Sequence, residues 1–300
     1  MSGLTIRRSE WALIVFFSYA SIAAFVLPVK TSIAVLTLGL NATFITSFFL
    51  LAYADSLRRR AFLSIVRDWY PTPLFMMAYR EMGWFAPLQH THELEKAWEV
   101  WDKFFLNTLG VKAIIESLGP VLPSILEISY ILVYTVPYIA LGLLYAYGRR
   151  ERVDRFLFPL AVAVLTAYAL FPYFPSEPPR TVFPGEDFPA WNTIFRRINW
   201  WMLGSYGIHT SVFPSAHCSG AFSAAFAMRY ALPEKKWVWR FLLVMAILIA
   251  TATVYGRYHY LADAVAGFAL ALGALPLARR MAAKAARDER ELAPSLRHGD

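Results

Sequence analysis

The 300-residue chain is 58% hydrophobic and only 17% charged, with a mean hydropathy of +0.44. Soluble domains carry about 45–50% apolar and about 25% charged residues, so these values exclude disorder, collagen and coiled coil and point to a bilayer as solvent. The net charge of +8 does not read as a nucleic-acid face, because Lys and Arg sit in short clusters between apolar runs. The single cysteine, Cys218, excludes an internal disulfide and a multi-cysteine metal site.

Apolar stretches of membrane length occupy residues 11–28, 33–54, 121–147, 156–174, 211–231, 241–255 and 260–277. The first has no small-residue cleavage site and is followed at once by a second, so a retained helix is expected. A weaker stretch, 72–87, is interrupted by Arg80 and Glu81. A charge at a helix centre costs about 2.5–3.5 kcal/mol on insertion scales, so these two are expected inside the bundle, as an ion pair or a headgroup pocket. Basic clusters follow at Arg7–Arg8, Arg58–Arg60 with Arg67, Arg149–Arg155, Lys235–Arg240 and along the tail. The positive-inside rule assigns all of them to the cytoplasm, with Asp68 on the same face. Their alternation closes if 72–87 crosses, which predicts an all-α, multi-pass membrane bundle of about eight spans with both termini cytoplasmic. A re-entrant 72–87 is the alternative.

Residues 90–120, with Trp98, Trp101, Phe104 and Phe105, suit an interfacial amphipathic helix. His90, His92 and Glu93 there read as a solvated surface more readily than as a metal site, and His209 reads as a solvated loop histidine. Cys218 shows no independent sign of reactivity.

Three polar islands share the outer face in this topology: residues 175–180 with Arg180, residues 213–220 with Ser215 and His217, and residues 256–263 with Arg257, His259 and Asp263. On a helix, His259 and Asp263 are four apart and share a face. The carboxylate can then fix the imidazole tautomer and leave the other nitrogen as a nucleophile. Pro214–Ser215 before an apolar run reads as a helix start, whose N–H groups attract phosphate. Arg180 and Arg257 offer forked donors to the same anion, and His217 in the first turn could protonate a leaving alkoxide.

These motifs resemble the phosphatidic acid phosphatase type 2 superfamily. Its Pro-Ser-x-His motif is met by Pro214, Ser215 and His217, and its His-x-x-x-Asp by His259 and Asp263. The first motif is met only by Arg180, with Tyr173 where the family has lysine, and Thr253 stands where the phosphatases have an arginine. The looser pattern, with residues 67–71 and Pro178-Pro179-Arg180, is similar to the inositol phosphorylceramide synthase branch. The resemblance implies a six-helix catalytic domain over residues 65–278, preceded by a transmembrane hairpin (1–64) and followed by a charged tail (279–300). It also implies His259 as nucleophile, Asp263 as its orienting group, His217 as acid, and Arg180, Ser215 and Arg257 as phosphate ligands. It implies no metal and no cofactor, and a lipid substrate with an alcohol or water as acceptor. The site would face the extracytoplasmic side, at the plasma membrane if the chain is prokaryotic. Simple lipid phosphate hydrolysis is the alternative reading, and a non-catalytic transporter a more distant one.

Overall fold

Apolar runs with no water to satisfy their peptide groups must close their hydrogen bonds internally. In the computed structural model, which describes residues 4–58, 61–87, 90–208, 210 and 212–292, they do so as helices, and no strand occurs among the described residues. The chain begins with a hairpin of α1 (Arg8–Val26) and α2 (Thr31–Arg58), then α3 (Ala61–Trp69) and α4 (Pro71–Phe85). Next come α5 (Glu93–Lys103), a π-helical turn (Phe104–Thr108) and α6 (Val111–Glu116). Helix α7 (Val121–Leu132) runs through a 3-10 turn into α8 (Val136–Ala146) and is followed by α9 (Val153–Leu170). The short α10 (Pro179–Val182) and α11 (Ile194–Tyr206) precede α12 (Ala216–Ala231), α13 (Lys236–Tyr255) and α14 (Leu261–Leu292).

Six of these helical stretches are long and apolar enough to cross a membrane: α1, α2, α7–α8, α9, α13 and α14. Their outer surfaces keep large side chains such as Val26, Leu50 and Val244 exposed, as lipid contact requires. The protein is an integral membrane protein. The expected spans at 72–87 and 211–231 differ from these six. They form α4, of 15 residues, and α12, of 16, shorter than a full crossing of about 20 residues. Both nevertheless run from one end of the bundle to the other. Helix α4 leaves the Asp68 cluster and places Arg80 against the Tyr206 carbonyl at 2.8 Å. Helix α12 starts at Ser215 and ends where Arg152 reaches the Ala231 carbonyl at 3.2 Å. Helix α4 keeps Met76 and Met77 exposed, whereas α12 is buried along most of its length.

One end of the bundle is tied by charge. Arg67 grips Glu10 with two nitrogens at 2.8 and 2.7 Å and Asp55 with a third at 2.9 Å. Asp68 accepts from Arg7 at 2.6 Å, from Arg150 at 2.5 Å and from the Tyr145 hydroxyl. Arg149, Arg152 and Glu234 join at this end, which we call the basic end. Arg80 and Glu81 do not pair with one another. Glu81 turns inward and is buried, with no hydrogen-bond partner among the described residues.

Helix α12 is the central rod, and its sequence explains why. Ala221, Ala224, Ala225, Ala227 and Ala231 are buried, and side chains this small let α9, α13 and α14 pack closely around it. The approach is tightest at Gly267 of α14, where a Cβ would sit 2.3 Å from the Ser215 carbonyl oxygen. Replacing Gly267 with valine is therefore expected to displace the start of α12 and lower the unfolding temperature, which thermal unfolding in detergent would register.

Candidate active site

The far end from the basic clusters gathers the three polar islands. Helix α13 closes with the Thr253 carbonyl accepting from both the Tyr258 and His259 N–H groups at 2.9 Å, which fixes the hairpin into α14. His259 stands just before α14 rather than inside it. The pairing with Asp263 is therefore a cap and not a shared helix face: Asp263, in the first turn, reaches back with one oxygen to the Tyr260 N–H at 2.9 Å and to His259 Nδ1 at 3.2 Å. The spacing anticipated the pair, while the reason for it lies in the helix start.

Ser215 is the N-cap of α12, its hydroxyl accepting from the Cys218 N–H at 3.3 Å and its own N–H donating to the Asp263 carbonyl at 3.0 Å. This joins the second and third islands through the backbone. One turn in, His217 Nδ1 lies 3.3 Å from His259 Nε2, with ring centroids 5.3 Å apart. Tyr130 stacks on the His217 ring at 5.2 Å, and the Tyr134 hydroxyl meets His217 Nε2 at 3.3 Å. Arg180 arrives on α10, whose backbone N–H docks on the Arg257 carbonyl at 3.3 Å, and its guanidinium lies over Tyr258, 5.7 Å from the ring centre.

A cavity of about 140 Å³ opens beside this cluster. His217, His259, Arg180 and Tyr258 line its polar end, and Tyr79, Tyr130, Tyr134 and Tyr168 its wall. It continues between α4 and α7–α8 to Met76 and Tyr138, which are themselves exposed on the outer surface.

Two expected phosphate ligands are placed elsewhere. Ser215 is wholly buried, its hydroxyl engaged in the cap and outside the cavity lining. Arg257 is also fully buried, with φ +61°, in the left-handed region that an arginine rarely occupies. Its guanidinium bonds Glu99 at 2.5 Å and Asp102 at 2.6 Å, away from the cavity. Asp102 also caps α14 by accepting from the Leu261 N–H at 2.7 Å. Thr253 cannot be exchanged for the family arginine without rebuilding, because it is buried against Cys218. His209 lies outside the described residues, as does the end of the tail.

Composition did not single out several residues that shape this site. Glu127 of α7 binds Arg196 at 2.9 Å, Asn199 at 2.6 Å and the Tyr258 hydroxyl at 2.6 Å, clamping α11 onto the hairpin. Glu99 and Asp102 of α5, both buried, were not singled out either. Charged residues inside apolar sequence are the one signal that could have flagged Glu127.

Burial first, and the Arg180 charge second, push His259 from 6.5 down to about 3. The folded protein therefore holds this imidazole neutral, while the unfolded chain takes up a proton below pH 6.5. Stability from this group is complete above pH 6.5 and is lost as pH falls, by about 1.4 kcal/mol per unit and about 2 kcal/mol at pH 5. Thermal unfolding between pH 7 and 5 should show a shallower decline for His259→Asn than for the wild type.

Two histidines and an arginine line one cavity of this membrane-embedded helical bundle, with a buried carboxylate behind one of the imidazoles. A family model described as PAP2 superfamily matches residues 108–277, more than half of the chain, and the protein belongs to that superfamily. Membership supports a lipid phosphatase or phosphotransferase type of function. No curated protein and no solved structure matches the chain. The matched stretch begins after α4 and α5, although both helices contribute to the site described above.

Proposed function

We propose that the protein transfers a phosphoryl-containing lipid headgroup to an alcohol through a phosphohistidine, in the manner of an inositolphosphotransferase. The observation that carries this reading is the His217–His259 contact at 3.3 Å beside an apolar cavity. Asp263 on Nδ1 leaves Nε2 of His259 as the attacking atom. Nε2 forms a bond to phosphorus, the ester P–O bond breaks, and His217, which takes up a proton as the anionic phosphate binds beside it, gives that proton to the departing alkoxide. The acceptor alcohol then loses its proton to His217 and attacks phosphorus, breaking the N–P bond and restoring both rings.

Charge on the equatorial oxygens is met by Arg180 and by the start of α12 at Ala216–His217, both lining the cavity. Ser215 and Arg257 serve as positioning residues in this scheme. Substrate has to part the two imidazoles: a near-attack contact of about 3 Å plus a hydrogen bond of about 3 Å requires roughly 6 Å between them. His217, half-buried and held by tyrosines, is the ring that would swing. The lipid chain would occupy the apolar length of the cavity and enter at Met76 and Tyr138. By the positive-inside rule the basic clusters at the other end favour an extracytoplasmic site in this reading, which takes residues 65–278 as the catalytic unit.

The alcohol is favoured over water as acceptor because the wall beside the histidines is aromatic and His259 is almost wholly buried. The test is incubation with phospholipids labelled at phosphorus, including phosphatidylinositol and phosphatidic acid, and quenching in base. The expected result is acid-labile label on the chain and a new labelled phospholipid. Free phosphate as the main product would establish the hydrolase instead. Absence of any labelled chain across the panel would overturn the covalent mechanism.

A further inference from the structure

A second cluster lies beside the loop that carries Arg180. Donor atoms of His90, His92 and Glu177 all lie within 4.8 Å of one another, and the two imidazole centroids are 4.3 Å apart. Each ring commits one nitrogen to the same carboxylate oxygen: Nε2 of His90 bonds Glu95 Oε1, and Nδ1 of His92 lies 3.2 Å from it. Glu95 has no exposed side-chain surface and also accepts the backbone N–H of Glu177 at 3.0 Å. The remaining nitrogens are left over. His90 Nδ1 is buried with no partner among the described residues, and His92 Nε2 faces Glu177 Oε1 at 4.0 Å.

One carboxylate fixing both imidazoles and the backbone of a third donor is how metal-binding histidines are oriented. We propose that His90, His92 and Glu177 hold one divalent transition cation, of which Zn²⁺ fits the two-nitrogen, one-carboxylate set, with water as fourth ligand. Bonds of about 2.0–2.1 Å in a tetrahedral site put ligand atoms roughly 3.4 Å apart, so the His92–Glu177 pair closes from 4.0 Å and no pair from more than 4.8 Å, and the His92 side chain is 36% exposed and able to move. The cation would join the start of α5 to the 175–180 loop three residues before Arg180. It takes no part in the phosphoryl steps above. Glu93, paired with these histidines by sequence proximity, is exposed and outside the cluster; Glu95 and Glu177 take its place.

The test is metal content, which is independent of turnover. The full chain, purified in detergent and stripped with chelator, is dialysed against micromolar Zn²⁺ and its zinc counted by mass spectrometry. About one equivalent is expected in the wild type, with loss in both His92→Ala and Glu177→Gln, and affinity about 10–100-fold weaker in Glu95→Gln. Co²⁺ substitution should give the intense visible absorption of a four-coordinate site. Both ligand variants change partly exposed side chains, and gel filtration checks that each stays monodisperse. Equal zinc in the wild type and in either folded variant, or no stoichiometric zinc in the wild type, overturns the proposal.

Discussion

Turnover should fall by about 10³-fold or more when His259 is replaced by asparagine, while the chain stays folded. A thousandfold corresponds to about 4 kcal/mol of transition-state stabilisation, well within what removal of a nucleophile costs. The reason is geometric. Asp263 holds Nδ1, so Nε2 is aimed at His217 and the cavity, and His217 has no carboxylate on its own ring to orient it as Asp263 orients His259. Asp263→Asn is the sharper probe, because an amide N–H aimed at Nδ1 favours the opposite tautomer and moves the proton to Nε2. A loss of about 10²–10⁴-fold in kcat is expected from that change, with helicity by circular dichroism unchanged. Full turnover by His259→Asn would remove the histidine from the chemistry.

The second large effect concerns folding. Arg257→Ala leaves Glu99 and Asp102 as buried carboxylates with no cation, and breaking a buried pair from one side costs about 3–5 kcal/mol. For a domain of this size that is a fall of roughly 10 °C in Tm, read by thermal unfolding in detergent. The same change loosens Asp102 from the start of α14 and so from His259. Activity lost in Arg257→Ala should therefore return in part with Arg257→Lys, which keeps one charge but cannot fork onto both carboxylates. If Arg257 instead touched substrate phosphate, its removal would raise KM and leave Tm in place.

The two effects separate what can be read from one dimension and what cannot. The membrane class, the helices and the polar islands follow from local rules: apolar runs must be helical in lipid, and Pro-Ser before such a run starts a helix. Arg180, His217, His259 and Asp263 were recognisable because ionisable groups are rare in apolar sequence. Arg257 looked equivalent to them on that criterion, and Ser215 by its place at a helix start, yet the folded chain turns both away from the cavity. Nothing local distinguishes an arginine aimed at a ligand from one aimed at Glu99 and Asp102, some 155 residues earlier. The same holds for His90 and His92, whose partner Glu177 comes from another loop.

Solvent preference and hydrogen-bond closure act residue by residue, so the sequence alone determined an all-helical membrane chain and a short list of candidate site residues. Which charge neutralises which depends on helices brought side by side by packing around the alanine-rich α12. Coulomb attraction and hydrogen bonding act over a few ångströms of space, whatever the separation along the chain, and only the tertiary structure sets those distances.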